Sequence, residues 1–474
     1  MKRVLYKWLA AGVMILSIAS CKKQMDEVKP TDSIDESNVF QNIEDLQRGL
    51  NAVYGRYLAK GHMYYLSALL SDEARYGRDN SGQGRFTYSW TFGSDQTSAG
   101  DIAAFWGDMP RVIDQANRVL QKADEVTARD AFEESRRPII KGQALAMRGM
   151  AMLDMLTVFT KPYDPADPLG IPYPTTPVGL GKYSRLTVAQ SVQAIQADLE
   201  QARTLLPATS SANFSDTVMN TISVAAVQAR LALHMRDWQK ASDYANEVIN
   251  SGIKPLVAGA AFTNIWVDAN DNEILFKIRQ ETPASTFVAS LFTSGNLVYF
   301  APSDKLVAAY GAGDIRKNAY IGEDVVGSGG STRYVKKHFK NGQYDRVVHL
   351  KAIRTAEMWL IRAEARAELG DLPGANADLN ELRSKRISGY TPVNITNKQT
   401  LIDEIMNERF KELAFEGFRF FDLKRRNLPV ERLLSDVDNN PTFQTLPAGN
   451  FRFTLPIPLQ ELLANPQMAQ NPGY

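Results

Sequence analysis

Antiparallel helix pairs, broken by long polar excursions and a few short strands, are the architecture that three features of this 474-residue sequence predict. Two stretches have helix-turn-helix character. Five more segments carry apolar residues at a helical period. Three others are too rich in Gly, Pro, Ser and Asn to continue any helix. The expected class is therefore mainly α.

The clearest pair begins near Arg354, where Ala356, Trp359, Leu360, Ala363 and Ala367 share one stripe and Gly370 is placed to end the helix. Asp371-Leu372-Pro373 opens its partner, whose apolar face is Ala375, Leu379 and Leu382. An earlier pair joins Ala226–Leu233 to a helix from Trp238 to Ile249, with Ala241, Ala245 and Val248 inward. Small residues where helices cross resemble tetratricopeptide units, so a helical-pair superhelix is expected. The stretches 41–58, 106–125, 142–159, 187–206 and 400–415 supply further helices. The first excursion, from about Ser71 to Asp101, interleaves Tyr76, Phe86, Tyr88, Trp90 and Phe92 with polar residues. The second, Lys161–Pro174, is too proline-dense for a helix or a central strand. The third, about 251–350, holds strand-like Glu273–Ile278 and Asn296–Phe300 and the flexible Gly327-Ser-Gly-Gly330.

The amino terminus reads as an export signal. Lys2, Arg3 and Lys7 precede an apolar run from Trp8 to Ile18, shorter than the roughly 20 residues of a spanning helix. Ala19-Ser20 then leads to Cys21, the only cysteine, in a pattern that resembles a bacterial lipobox. Residues 1–20 are thus expected to be a lipoprotein signal peptide, Cys21 the lipidated residue, and 21–37 a polar tether; two or more acyl chains make such anchoring stable. Removing 1–20 leaves 51 basic residues against 53 acidic ones, a balance that does not point to nucleic acid.

Catalytic patterns are weak. The histidines His62, His234, His338 and His349 are scattered, and neither a Gly-x-Ser-x-Gly elbow nor a Gly-Lys-Ser phosphate loop occurs. Asp268, Asn270 and Asn272 imitate the start of a calcium loop, but Glu273 and Arg279 stand where Gly and Glu are needed, so a polar turn is expected. Glu408, Glu412 and Glu416 share one helix face; with Arg409, Lys411 and Arg419 nearby, a structural ion-pair network is expected rather than a glycosidase pair. No catalytic residue, metal ligand or cofactor is assigned.

Four segments carry a family resemblance: Ala356-Glu-Met-Trp-Leu-Ile-Arg-Ala-Glu-Ala365; the run Ile405–Arg425; Leu455-Pro-Ile-Pro458 with Asn465-Pro466; and Gln470-Asn-Pro-Gly-Tyr474. In this order behind a lipobox, the chain resembles the SusD/RagB nutrient-binding outer-membrane lipoproteins over about Ser37–Tyr474. The resemblance implies one SusD-like domain over 38–474, with an N-terminal helical part (38–250) and a RagB/SusD C-terminal part (251–474). It implies a non-enzymatic receptor, lipid-anchored and exposed at the cell outer membrane, that takes an oligosaccharide or other nutrient and delivers it to a TonB-dependent SusC-like barrel. A neutral sugar needs aromatic faces beside amide, carboxylate or guanidinium groups. On that chemistry Trp90 is the expected platform, with Tyr88, Asn80 and Arg85 beside it, and Phe292, Asn296 and Tyr299 as a second group. Two other classes stay open: a helical-repeat scaffold that binds protein, and a surface glycan hydrolase.

Overall fold

The computed structural model describes residues 39–177, 181–281, 288–294, 297–325, 331–340 and 347–474. Helices α1 (Ile43–Arg56), α2 (Lys60–Leu70), α3 (Gly100–Ala123), α4 (Ala131–Phe159) and α5 (Val188–Leu205) open the chain, followed by α6 (Thr221–His234) and α7 (Trp238–Asn250). After the excursion come α8 (Thr355–Leu369), α9 (Leu372–Arg386), α10 (Lys398–Glu412) and the short α11 (Arg419–Arg425). All seven helical stretches anticipated from periodicity are present. The starts of α3 and α4 lie earlier than expected, α4 because it runs through Pro138; α3 likewise continues through Pro110. Asp130 caps α4 by accepting the Glu133 N–H, so one lost backbone donor inside a 29-residue helix is tolerated.

Local signals account for the ends. Thr187 and Gln190 form a reciprocal capping box on α5, and Asn220 with Ser223 does the same on α6. Gly370 ends α8 at φ 89°, the left-handed conformation that glycine adopts without a Cβ penalty, and Asp371 then caps α9. The α6–α7 and α8–α9 pairs lie more than a hundred residues apart in sequence, yet α7 packs along α8. The third excursion therefore loops out and returns, and the two pairs stack as neighbours. The small residues of the stripes are fully buried, Ala241 and Ala245 on α7 and Ala356 and Ala363 on α8.

The strands among the described residues pair only in twos. β1 (Ala74–Tyr76) runs antiparallel to β3 (Phe300–Pro302), and β2 (Ile274–Ile278) to β6 (Leu350–Arg354); β4 (Ile321–Val325) and β5 (Ser331–Val335) form a hairpin. β5 packs beside β3, which joins the hairpin to β1. The apolar core draws on both halves of the chain, from Phe40 to Met468. No helix of the described residues is long and apolar enough to cross a membrane.

Candidate functional site

Where β1, β3 and the β4–β5 hairpin meet, the surface opens into a cleft of about 900 Å³. β1 and the turn after it contribute Arg75, Tyr76, Arg78, Asn80 and Arg85; the hairpin adds Glu323, Thr332 and Arg333; Asp438 completes the lining. Gly77 makes the junction possible. Its N–H donates to the Tyr299 carbonyl at 2.8 Å, and a Cβ there would sit 2.2 Å from the Val298 oxygen.

Tyr76 is the aromatic of the cleft. Its ring packs on Tyr88 at 4.4 Å between centroids and on Phe300 at 5.6 Å, while it stays half-buried and lines the opening. Burial raises its phenol above the usual value, so the hydroxyl keeps its proton. Arg85 and Asp438 both act on that phenol, and both are exposed. Arg85 lies over the Phe86 ring at 4.4 Å, and neither it nor Asp438 has an ion-pair partner among the described residues. An aromatic that lines a cleft together with an exposed guanidinium and an exposed carboxylate suits a polyhydroxylated ring, because each hydroxyl both donates and accepts.

The remaining arginines are engaged. Arg78 meets Asp79 at 3.2 Å, while Arg75 and Arg333 reach the two oxygens of one carboxylate, Asp304, at 2.9 and 2.7 Å. Asn80 shapes the turn: its amide donates to the Gln83 and Tyr299 carbonyls, and its oxygen accepts from Gly82 N–H.

The expected platform, Trp90, is not on this surface. It is 5% exposed, and its indole N–H donates to the Leu70 carbonyl at 2.9 Å. The Arg432 guanidinium lies 4.0 Å from its ring centre and 3.9 Å from that of Tyr88, sandwiching the two aromatics. Arg432 has backbone oxygens for partners: Leu69, Ser71, Tyr88 and Phe443 all accept from it, two of them at the C-terminal end of α2, where a cation is favoured. Tyr88 is fully buried and donates its hydroxyl to the Asp436 carbonyl. Phe292 is likewise core, against Tyr65, His338 and Phe415. Tyr299 stands half-buried beside the cleft and joins it through its main-chain oxygen, and Asn296 lies outside the described residues. Of the seven expected ligand-binding residues, Asn80 and Arg85 thus line the opening; Trp90, Tyr88 and Phe292 are buried, because distant side chains cover them.

Comparison with known proteins was informative over nearly the whole chain. A family model described as "SusD family" matches residues 327–474, and one described as "Starch-binding associating with outer membrane" matches 24–233. A SusD-like protein P2 of Formosa agariphila is 26% identical, covering 98% of each chain. A SusD superfamily protein from Bacteroides thetaiotaomicron superposes with a TM-score of 0.79 at 27% identity, covering 91% of this chain and 100% of that one. The chain belongs to the SusD/RagB family. A second SusD superfamily structure, from Bacteroides vulgatus, gives the same TM-score of 0.79 at 25% identity.

In this SusD/RagB chain the segments that carry the resemblance build architecture. Glu408, Glu412 and Glu416 are buried in an ion-pair network, as expected, but with partners from farther away. Arg316, Arg354 and Arg386 converge on Glu412 at 3.2, 3.0 and 3.0 Å. Glu408 takes Arg383 and Lys411, and Glu416 takes Arg354 and Lys337. Arg409 and Arg419, the nearer candidates in sequence, pair instead with Asp422 and Asp72. Although burial alone would raise it, Arg316, Lys411 and Arg383 draw the Glu408 carboxyl down to about 2. Trp266 sits among these charges, 4.2 Å from the Lys337 ammonium. The Asp268–Asn272 turn also follows expectation: Asp268 pairs with Lys351 at 2.6 Å, and Asn270 accepts the Asn272 N–H.

Proposed function

We propose that this protein is a cell-surface glycan-binding lipoprotein that holds an oligosaccharide in the β1–β3–hairpin cleft and passes it to a TonB-dependent outer-membrane barrel. The observation that carries the binding step is Tyr76, half-buried at the cleft wall that Arg85 and Asp438 also line. Membership in a family with a model described as starch-binding and associating with the outer membrane supports both the ligand class and the location. A passive receptor agrees with the burial of the Glu408–Glu416 carboxylates in ion pairs, where no substrate reaches them. The anchor at Cys21 lies outside the described residues and rests on the lipobox pattern.

Calorimetric titration of tri- to hexasaccharides against the wild type and Tyr76→Ala tests the binding step. Saturable binding weakened by the substitution is expected; a panel in which no glycan binds, or in which Tyr76→Ala binds equally, sinks it. For the anchor, Cys21→Ser is expected to move the protein from the detergent phase to the soluble fraction, and for the partner, detergent extracts are expected to yield a co-purifying barrel.

A further inference from the structure

The glycan reading leaves one feature of the cleft unused. Arg75 stands on β1 and Arg333 on the hairpin, and the contact of β5 with β3 brings their guanidiniums onto opposite oxygens of Asp304. A guanidinium is charged at every physiological pH, and Asp304 is the one carboxylate among the described residues that forms an ion pair with either of them, while Asp436 acts on Arg75 without such a contact. The pair is not sealed off: the Arg75 side chain is 30% exposed and that of Arg333 38%, and both line the cleft. Each presents further N–H groups of the fork that suits a planar or tetrahedral oxyanion.

Resting on the glycan reading, we infer that the bound sugar carries one acidic substituent, a carboxylate or a sulfate ester, seated on the Arg75–Arg333 pair. One is the number the surroundings set. Glu323 lies directly across the hairpin from Arg333, and Asp438 also lines the cleft, so a run of negative charges meets two carboxylates. With Asp79, Asp304 and Asp436 these acids outnumber the four arginines by one, so recognition is local rather than a long-range pull on polyanions. The ring hydroxyls face Tyr76, Arg85 and Asp438; the acid faces the shared pair.

The test titrates uronate-containing oligosaccharides against their methyl esters, and monosulfated oligosaccharides against the desulfated forms, with dextran sulfate as the polyanion arm. At least tenfold tighter binding of the carboxylate over its ester, or of the sulfate over its neutral parent, is expected and identifies which group is read. Arg333→Gln, at a partly exposed position of the hairpin, is expected to bring the ratio of affinities for the charged and neutral members toward one, read as that ratio and not as either affinity alone. Dextran sulfate is expected to bind more weakly than the singly charged ligand. Equal affinity for the charged and neutral members of both pairs overturns the inference but keeps the glycan reading, as does an unchanged preference in Arg333→Gln; tighter dextran sulfate binding overturns the single-charge assignment. Absence of binding by every glycan overturns both.

Discussion

Two arginine-rich regions of this molecule use the same side chains under opposite conditions. Around Glu412, Arg316, Arg354 and Arg386 are fully buried, and each meets at least two carboxylates. Around Tyr76 the arginines are partly open: two share one acid, and Arg85 has none. Water explains the difference. A buried guanidinium without partners costs several kcal/mol, so the arginines around Glu412 are met by carboxylates and Arg432 by backbone oxygens, whereas at the cleft solvent supports the exposed charge. Matched charge therefore accompanies burial around Glu412, and mismatch is tolerated where the surface is accessible.

The comparison breaks most visibly in the interior. Glu412→Ala strands three buried guanidiniums and is expected to cost about 3 to 5 kcal/mol of stability, measured by urea unfolding; a loss below roughly 1 kcal/mol would mean that water reaches the cluster. Trp90→Ala is expected to behave like a core truncation, costing about 3 to 5 kcal/mol of stability with glycan affinity of the folded fraction unchanged. Tyr76→Ala sharpens the contrast from the other side: about 1.5 to 3 kcal/mol of binding lost, with a much smaller change in stability.

A smaller effect appears with pH. Glu73, one residue before β1, is fully buried; its carboxyl accepts one hydrogen bond, from the Phe415 N–H at 3.2 Å, and the second carboxyl oxygen has no partner among the described residues. Burial pushes its carboxyl from 4.5 up to about 8. Because the folded pKa lies above the unfolded one, this stabilising contribution is complete below about pH 4.5 and is lost as pH rises toward about 8, by up to about 1.4 kcal/mol per unit. Unfolding midpoints at pH 5 and pH 8 are expected to converge in Glu73→Gln relative to the wild type. Glu408 acts in the opposite sense, contributing above about pH 4.5 and losing that contribution as pH falls toward about 2.

Much of the fold was legible because its signals are local. Alanine stripes, Gly370 and Asp371 placed the α8–α9 pair, and the four resemblance segments named the family before any contact was known. The site was legible only in outline. The excursion at 71–101 was singled out for its aromatics among polar residues, and Asn80 and Arg85 within it line the cleft. That Trp90 is buried was not legible, because no spacing reveals that Arg432, more than 300 residues onward, covers the tryptophan. Arg75, Arg333, Glu323 and Asp438 gave no signal of their own, since each is an ordinary charged residue until strand pairing gathers them.

By itself, then, the sequence determined the helices, their caps, their pairing and the family, all set by residues a few positions apart whose periodicity and backbone preferences act before the chain closes. The tertiary structure alone decided which aromatic is wet, which arginines are matched and where the cleft opens. Those outcomes depend on solvent exclusion and on charge partners hundreds of residues away, and neither exists until β1, β3 and the hairpin have met.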